Sequence, residues 1–322
     1  MRLDVAHSAE EWTSIFGDRQ ERAVVTVGNF DGVHLGHREI LRAAADRARA
    51  AGGPPFLTPA VLTFYPHPAC VVRPEAAPPL LMTIEQRLAA FEQAYMQAAL
   101  VLRFDRALAQ LSPEDFARRY LVETMRAAAV VVGANFRFGY RQAGDTRLLA
   151  ELGSRFGFEV DAIPPVVVEG VVVSSTAIRE ALRAGRVEEA RKLLGRPYAL
   201  AGEIRSGSGQ GRKLVVPTLN LSTEQELLPK PGVYATHVVL DGKTYRAATN
   251  VGLRPTFNGA NLTVESHLLD FNQERTSGSI EVRFLIRLRD EQKFSSPQAL
   301  REQVLRDLDR ARDYFERTPQ PQ

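Results

Sequence analysis

Along residues 1 to about 165, short apolar runs alternate with stretches of helical periodicity. The runs AVVTVG (23–28), AVLTF (60–64), ALVLRF (99–104), AAVVVG (128–133) and FEVDAI (158–163) are rich in β-branched or aromatic residues, as strands buried on both faces are. Helix starts are legible between the runs. Thr83 and Gln86 form a capping-box pair ahead of IEQRLAAFEQAYM, and Ser112 with Pro113, Glu114 and Asp115 supplies a cap, an N1 proline and first-turn acids. Strand and helix in alternation predict a doubly wound, Rossmann-like α/β parallel sheet. In such sheets ligands bind beyond the carboxyl ends of the strands, near the switch point.

The grammar changes near 165. VVVEGVVVS reads as a hairpin around Glu169-Gly170. Two short helices follow, SSTAIREALRAG and RVEEARKLLG, closed by Gly185 and Gly195, with Pro197 blocking extension. The domain boundary falls within 180–197, giving domains 1–185 and 186–322. From Tyr198 to about Arg289 the runs LAGEI, LNLS, GVYATHVVL, TYRAATNVG, LTVESHLLD and IEVRFLIRLR read as strands, with Asp241-Gly242 as a hairpin turn between the third and fourth. Such closely spaced strands predict a small antiparallel β-barrel. A C-terminal amphipathic helix, PQALREQVLRDLDRARDYF, is expected to pack on the barrel or on the first domain.

Composition changes this picture little. A hydrophobic content of 44% and a charged content of 25% are ordinary for a globular chain, and 322 residues suit two domains. There are 41 basic and 38 acidic residues, net +3, and lysine stands only at 192, 213, 230, 243 and 293. No Lys/Arg block forms a nucleic-acid footprint, so small anionic substrates are expected and nucleic acid is not. Cys70 is the sole cysteine, which excludes an intrachain disulfide and a cysteine zinc site. The start, MRLDVAHSAEEW, is polar and acidic, unlike a signal peptide. No apolar run approaches the ~18–20 residues that span a bilayer. The expectation is a cytoplasmic protein without membrane partners; the oligomeric state is open, a homo-oligomer included.

The densest chemical signal is GNFDGVHLGH (28–37), directly after the first run and opening REILRAAADRARA. A βα turn there offers free N–H groups and a positive dipole end to phosphate. Gly28, Gly32 and Gly36 allow close backbone approach. His34 and His37, three apart, point one way and can donate to a phosphate gaining charge, so that positioning and charge stabilisation suffice. No Walker A loop competes for the nucleotide. VVGANFRFG places Asn135 and Arg137 at another strand's carboxyl edge; it also reads as a turn with two core phenylalanines. SSTAIR offers Ser175, Thr176 and Arg179 to phosphates at a helix start, or is a plain serine cap. His67, in TFYPHP, reaches this site or is a loop histidine. HxGH by itself does not choose among nucleotidyl acceptors.

These segments, in this order, resemble the FAD synthetase module of the prokaryotic bifunctional riboflavin kinase/FAD synthetase family, an HxGH nucleotidyltransferase. The barrel motifs GQGRKLVVPTLNL, PGVYAT, NVGLRPTF and VESHLLDF resemble the family's riboflavin kinase module. The resemblance implies that the C-terminal domain phosphorylates riboflavin to FMN with ATP and Mg²⁺. The N-terminal domain then adenylylates FMN with a second ATP, giving FAD and pyrophosphate. It implies catalytic roles for His34, His37, Arg179 and Glu265, and ATP or phosphate contacts for Gly28, Asn29, Phe30, Asp31, Gly36, Ser175 and Thr176. Asn135 and Arg137 would belong to a flavin or nucleotide loop. Gly209, Gly211, Lys213, Thr218 and Asn220 would form the kinase ATP/Mg²⁺ site, with Thr218 a ligand of the metal. Read without the resemblance, Pro217-Thr218-Leu219-Asn220 is equally a turn, 207–212 equally a connection, and Glu265 equally a charge on the outer barrel face. A carboxylate does suit the proton of a hydroxyl attacking a γ-phosphoryl group, and oxygen donors suit Mg²⁺. Two departures from the family pattern stand out: Val215-Val216 replaces glycine-phenylalanine, and Tyr65 replaces an acidic residue.

Overall fold

The computed structural model describes residues 2–17, 21–50, 57–205, 218–256, 259–269, 271 and 275–318. The chain divides into two compact units, Met1–Ser174 and Ser175–Gln322.

The first unit is a six-stranded parallel sheet flanked by helices. Its strands are β1 (Asp4–Ala6), β2 (Arg22–Val27), β3 (Leu57–Tyr65), β4 (Ala98–Arg103), β5 (Ala127–Gly133) and β6 (Glu159–Ile163), in the order β1-β4-β3-β2-β5-β6. After β1, which ends at the sheet edge beside β4, the chain enters near the centre with β2, winds outward through β3 and β4, then returns to lay β5 on the other side of β2. The carboxyl ends of β2 and β5 therefore meet at the switch point. The longer helices are α1 (Ala9–Phe16), α2 (Leu35–Ala50), α4 (Ile84–Gln93) and α7 (Thr146–Phe156), and α3 (Pro68–Val72), α5 (Arg106–Ala109) and α6 (Pro113–Phe116) are short. Thr83 and Gln86 form both bonds of the expected capping box on α4, and Ser112 caps α6 at Asp115 N–H. Strands β2 to β5 are buried along nearly their whole lengths, and a core runs from Val25 and Leu62 through Leu100 to Phe116 and Leu149.

Three features depart from the pattern in the sequence. The N-terminal segment supplies β1 and α1: three residues are too few for a period to be legible, yet β1 adds a parallel edge to β4, and Ser8 caps α1 so that Trp12 is buried. The helix begun at Ser112 continues from α6 as a π-helical stretch, Ala117–Thr124. Finally, β6 is not buried on both faces. It is an edge strand with Glu159 exposed, and Arg47 from α2 pairs with Glu159 and Asp161, each at 2.5 Å. A small hairpin, β7 (Val167–Val168) and β8 (Val171–Val172), turns at Glu169-Gly170 as its sequence predicts.

In the second unit, α8 (Ser175–Arg183) and α9 (Val187–Leu194) are closed by Gly185 and Gly195 at φ of +78° and +72°, left-handed positions that favour glycine. Six strands then close into an antiparallel barrel: β9 (Tyr198–Arg205), β10 (Leu219–Ser222), β11 (Gly232–Leu240), β12 (Lys243–Thr256), β13 (Gly259–Leu268) and β14 (Ser279–Asp290), in the order β10-β13-β12-β11-β14-β9. Asp241 and Gly242 both have positive φ, as a two-residue primed hairpin turn requires. Alternation divides each strand between interior and exterior. Inside, the hydroxyls of Thr236, Thr249 and Ser266, none of them exposed, bond in a chain at 2.6 and 2.8 Å. Outside, Ala235, Ala248, Leu269 and Leu285 pack on Leu308, Ala311 and Phe315 of α10 (Pro297–Arg317).

One polar clamp joins α10 to the barrel. Arg289 of β14 donates from Nε and Nη2 to the Asp307 carboxylate at 2.6–3.0 Å, and Gln303 donates to the same group at 2.8 Å. Asp307 is 4% exposed. Removing one partner of a buried pair leaves the other charge uncompensated, at about 3–5 kcal/mol. Asp307→Ala should therefore lower the unfolding free energy of the barrel unit, measured by denaturant titration, by about that amount, and Arg289→Met with Asp307→Leu together should lower it much less.

Candidate active sites

The first site is built on the turn between β2 and α2. Phe30, Gly32 and Val33 all take positive φ, 50°, 90° and 35°, so the chain coils tightly before the helix. His34 closes the turn and His37 lies one turn along. Their rings stack with centroids 3.6 Å apart and planes 16° from parallel. The backbone N–H of His37 donates to Nδ1 of His34 at 3.2 Å. A ring nitrogen that accepts carries no proton, so neutral His34 holds its hydrogen on Nε2 and offers it as a donor. Gly36 leaves room for this ring: a Cβ there would meet Cε1 and Nδ1 of His34 at 3.3 Å, tight enough to push the ring aside by a few tenths of an ångström. Phe30 meets His37 edge to face, with centroids 5.2 Å apart, and Gly28 leaves room for the Phe30 ring.

The turn is braced from beneath. Asp31, 2% exposed, accepts from Leu81 N–H at 3.0 and 3.2 Å and from Met82 N–H at 3.3 Å, just ahead of α4. Arg87, on α4 and 1% exposed, donates from Nη1 to the carbonyl of Asn29 at 2.7 Å, to that of Phe64 at 3.2 Å and to the Thr63 hydroxyl at 3.3 Å. Burial pushes its pKa down, against the pull of the Asp31 charge. His67 Nδ1 accepts from Ala69 N–H at 3.1 Å and its Nε2 lies 3.4 Å from the Asn29 side-chain amide. His67 thus reaches the turn through Asn29.

Asn135 and Arg137 follow β5 and are exposed, on the strand beside β2 at the switch point. Arg137 lies 3.8 Å from Asp145, whose carboxyl is held below its ordinary pKa first by Leu148 N–H and less by this guanidinium. Phe136 and Phe138 stack at 5.5 Å, with Phe138 buried in the core. Ser175, Thr176 and Arg179 occupy the start and middle of α8 in the second unit, with Arg179 6% exposed.

The second site lies on the outside of the barrel. Glu265 shares its face of β13 with His267 and Leu269, the face turned to α10. It stands in register between Asn220 of β10 and Asn250 of β12, and the row continues through Val233 to Arg289. Thr218, Asn250, Glu265, His267 and Arg289 line a cavity of about 320 Å³ walled on one side by Leu300, Val304 and Leu308 of α10. The carboxylate is thus on the outer barrel face and yet inside a chamber. Thr218, Asn220 and Glu265 form a set of hard oxygen donors on neighbouring positions, the donor chemistry that Mg²⁺ takes. Among the described residues no three His, Cys, Asp or Glu side chains gather as a metal cluster. Gly209, Gly211, Lys213 and the Val215-Val216 departure lie outside the described residues. Sequence reasoning passed over Asn250, His267 and Arg87. The first two become visible only through strand register; an arginine within a helical pattern reads as a solvated face.

Two family profiles match: one described as FAD synthetase over residues 17–177, and one as riboflavin kinase over residues 194–315. The chain is 35% identical over 297 residues to the bifunctional riboflavin kinase/FMN adenylyltransferase of Escherichia coli K12, covering 92% of this chain and 94% of that one. It is 37% identical over 290 residues to the Pseudomonas fluorescens protein of the same description, with 90% and 92% covered. A solved structure described as a macrolide-efflux protein from Streptococcus pneumoniae superposes with a TM-score of 0.83 at 29% identity, covering 97% of this chain and 99% of the other. Among the described residues, no helix is long and apolar enough to cross a membrane.

Oδ1 of Asp31 accepts from both N–H groups, so Asp31→Asn can keep those bonds but puts a donor NH2 in the place of Oδ2, 3.2 Å from Leu81 N–H. Orphaning a buried donor costs about 1–3 kcal/mol, so Asp31→Asn should lower the unfolding free energy of the sheet unit by about that amount in urea titration.

Proposed function

The chain belongs to the bacterial bifunctional riboflavin kinase/FMN adenylyltransferase family, and on that premise we propose that its barrel makes FMN from riboflavin and ATP and its sheet unit makes FAD from FMN and a second ATP. In the sheet unit, an oxygen of the FMN phosphate attacks the α-phosphorus of ATP, and the bond to the departing pyrophosphate breaks. The nucleophile already carries negative charge, so no general base is called for. What the protein supplies is charge stabilisation. His34 Nε2–H and the His37 ring donate to the α-phosphate oxygens as charge builds on them, while Gly28 and Gly36 let the main chain approach the phosphates closely. The observation that carries this reading is the stacked imidazole pair with its hydrogen held on Nε2 of His34, at the end of a central strand beside the switch point.

In the barrel, the ribityl primary hydroxyl of riboflavin attacks the γ-phosphorus of ATP, ADP leaves, and Glu265 takes the hydroxyl proton. Asn220 and Asn250 stand in register on either side of Glu265. The isoalloxazine ring is flat with an apolar dimethylbenzene end, and the chamber wall of Leu300, Val304 and Leu308 suits that end. Thr218 and Asn220 would hold Mg²⁺, which when bound neutralises phosphate charge.

Purified protein given riboflavin, ATP and Mg²⁺ should accumulate FMN and then FAD, resolved by chromatography. His37→Ala should stop at FMN, with FAD formation slowed ~10²–10³-fold as for loss of one preorganised donor. Glu265→Ala should leave riboflavin untouched and still convert supplied FMN to FAD. Loss of both reactions in both folded variants would contradict the two-site division, and an unaltered chain that never forms FMN would reduce the barrel to a binding module.

A further inference from the structure

Arg87 is the most deeply buried charge described in the chain, and nothing in the reaction chemistry above uses it. Its Nη1 gathers three acceptors from two strand ends: Asn29 beyond β2, and Thr63 and Phe64 of β3. Its Nε and Nη2 are also buried and have no hydrogen-bond partner among the described residues. A guanidinium left with two unbonded nitrogens in the interior is costly. A purely structural pin at this place is met more cheaply by an apolar side chain, as buried polar groups commonly are. The costly choice therefore has a consequence to be sought at the acceptors it does hold.

The shortest of its bonds is to the Asn29 carbonyl. A trans peptide is planar, and its C=O and N–H point to opposite sides. Holding the Asn29 carbonyl down to Arg87 thus turns the N–H of Phe30 the other way, away from the interior. Phe30 takes φ +50°, a conformation that an L-residue adopts only when its surroundings impose it. The imposition comes from both sides, because Asp31, the next residue but one after Asn29, is tied to Leu81 and Met82 N–H at the entrance of the helix that bears Arg87. The amino end of α4 therefore grips the turn by a carbonyl on one side and a carboxylate on the other.

We propose that Arg87 is a positioning residue for adenylyl transfer: by fixing the Asn29–Phe30 peptide plane, it presents the Phe30 amide to the phosphates of ATP beside His34 and His37. The inference rests on the adenylyl-transfer reading and adds to it a preorganised main-chain donor and the residue that aims it. Lysine is a poor substitute, because its side chain ends about one bond short of Nη1, the nitrogen that makes all three bonds.

The test is steady-state kinetics of FAD formation from supplied FMN and ATP on the full chain, with Arg87→Met and Arg87→Lys beside the unaltered protein. Melting curves establish that each variant is folded at the assay temperature. Misaiming a donor used in the transition state lowers kcat rather than raising KM. We expect kcat to fall roughly 10- to 100-fold in Arg87→Met and at least about 5-fold in Arg87→Lys, with KM for ATP changing less than about 3-fold. FMN formation from riboflavin by the same preparations should be unchanged. If Arg87→Met does not fold, the lysine variant carries the test alone. Unaltered kcat in either folded variant, or a rise in KM with kcat preserved, would overturn the inference and leave the adenylyl-transfer reading standing. An unaltered chain that makes no FAD from FMN would overturn both.

Discussion

A single backbone N–H, that of His37, decides the state of the first site. By donating to Nδ1 of His34 at 3.2 Å it fixes where the hydrogen of that ring sits, and the same turn of helix sets the rings face to face at 3.6 Å. The geometry comes from the first turn of α2, from a glycine at 36 that leaves room for the ring, and from a preceding loop with three residues at positive φ. A loop so contorted holds its shape only when over-determined from beneath, which is the part played by Asp31 and Arg87. Local sequence therefore supplies the donors, and tertiary contacts thirty or more residues away in sequence make them rigid.

The barrel achieves the same end by register. On a strand, neighbours two apart share a face, and neighbours across the ladder stand side by side. Asn220, Glu265 and Asn250 are brought together only because three strands pair as they do. Inside this small barrel hydroxyls bond to one another, and the cavity beside Glu265 lies on the outside. There α10, clamped through Arg289 and Asp307, converts an exposed face into a chamber.

The two fold classes were legible because they rest on period and punctuation. Apolar runs marked the central strands, Thr83 and Ser112 marked helix starts, and Gly185, Gly195 and Asp241-Gly242 marked turns at positive φ. GNFDGVHLGH stood out as a candidate site because its spacing is local. What stayed hidden is non-local. β1 is too short to show a period, and β6 reads as buried until its place at the sheet edge is known. Glu265 offers no clue in sequence to the chamber around it, since the side of the barrel covered by α10 follows from packing. Arg87 sits in IEQRLAAFEQ among residues that look solvated, and only the fold reveals it as interior.

The central claim is that His34 enters the reaction as a neutral donor through Nε2. Nitrogen-15 NMR of the histidine-labelled protein at neutral pH measures this directly. The account predicts an unprotonated, hydrogen-bonded Nδ1 and a protonated Nε2 for His34, with the Nε2 signals of His34 and His37 both moving when a non-hydrolysable ATP analogue is added. A hydrogen on Nδ1 of His34, or ring signals indifferent to the nucleotide, would contradict it.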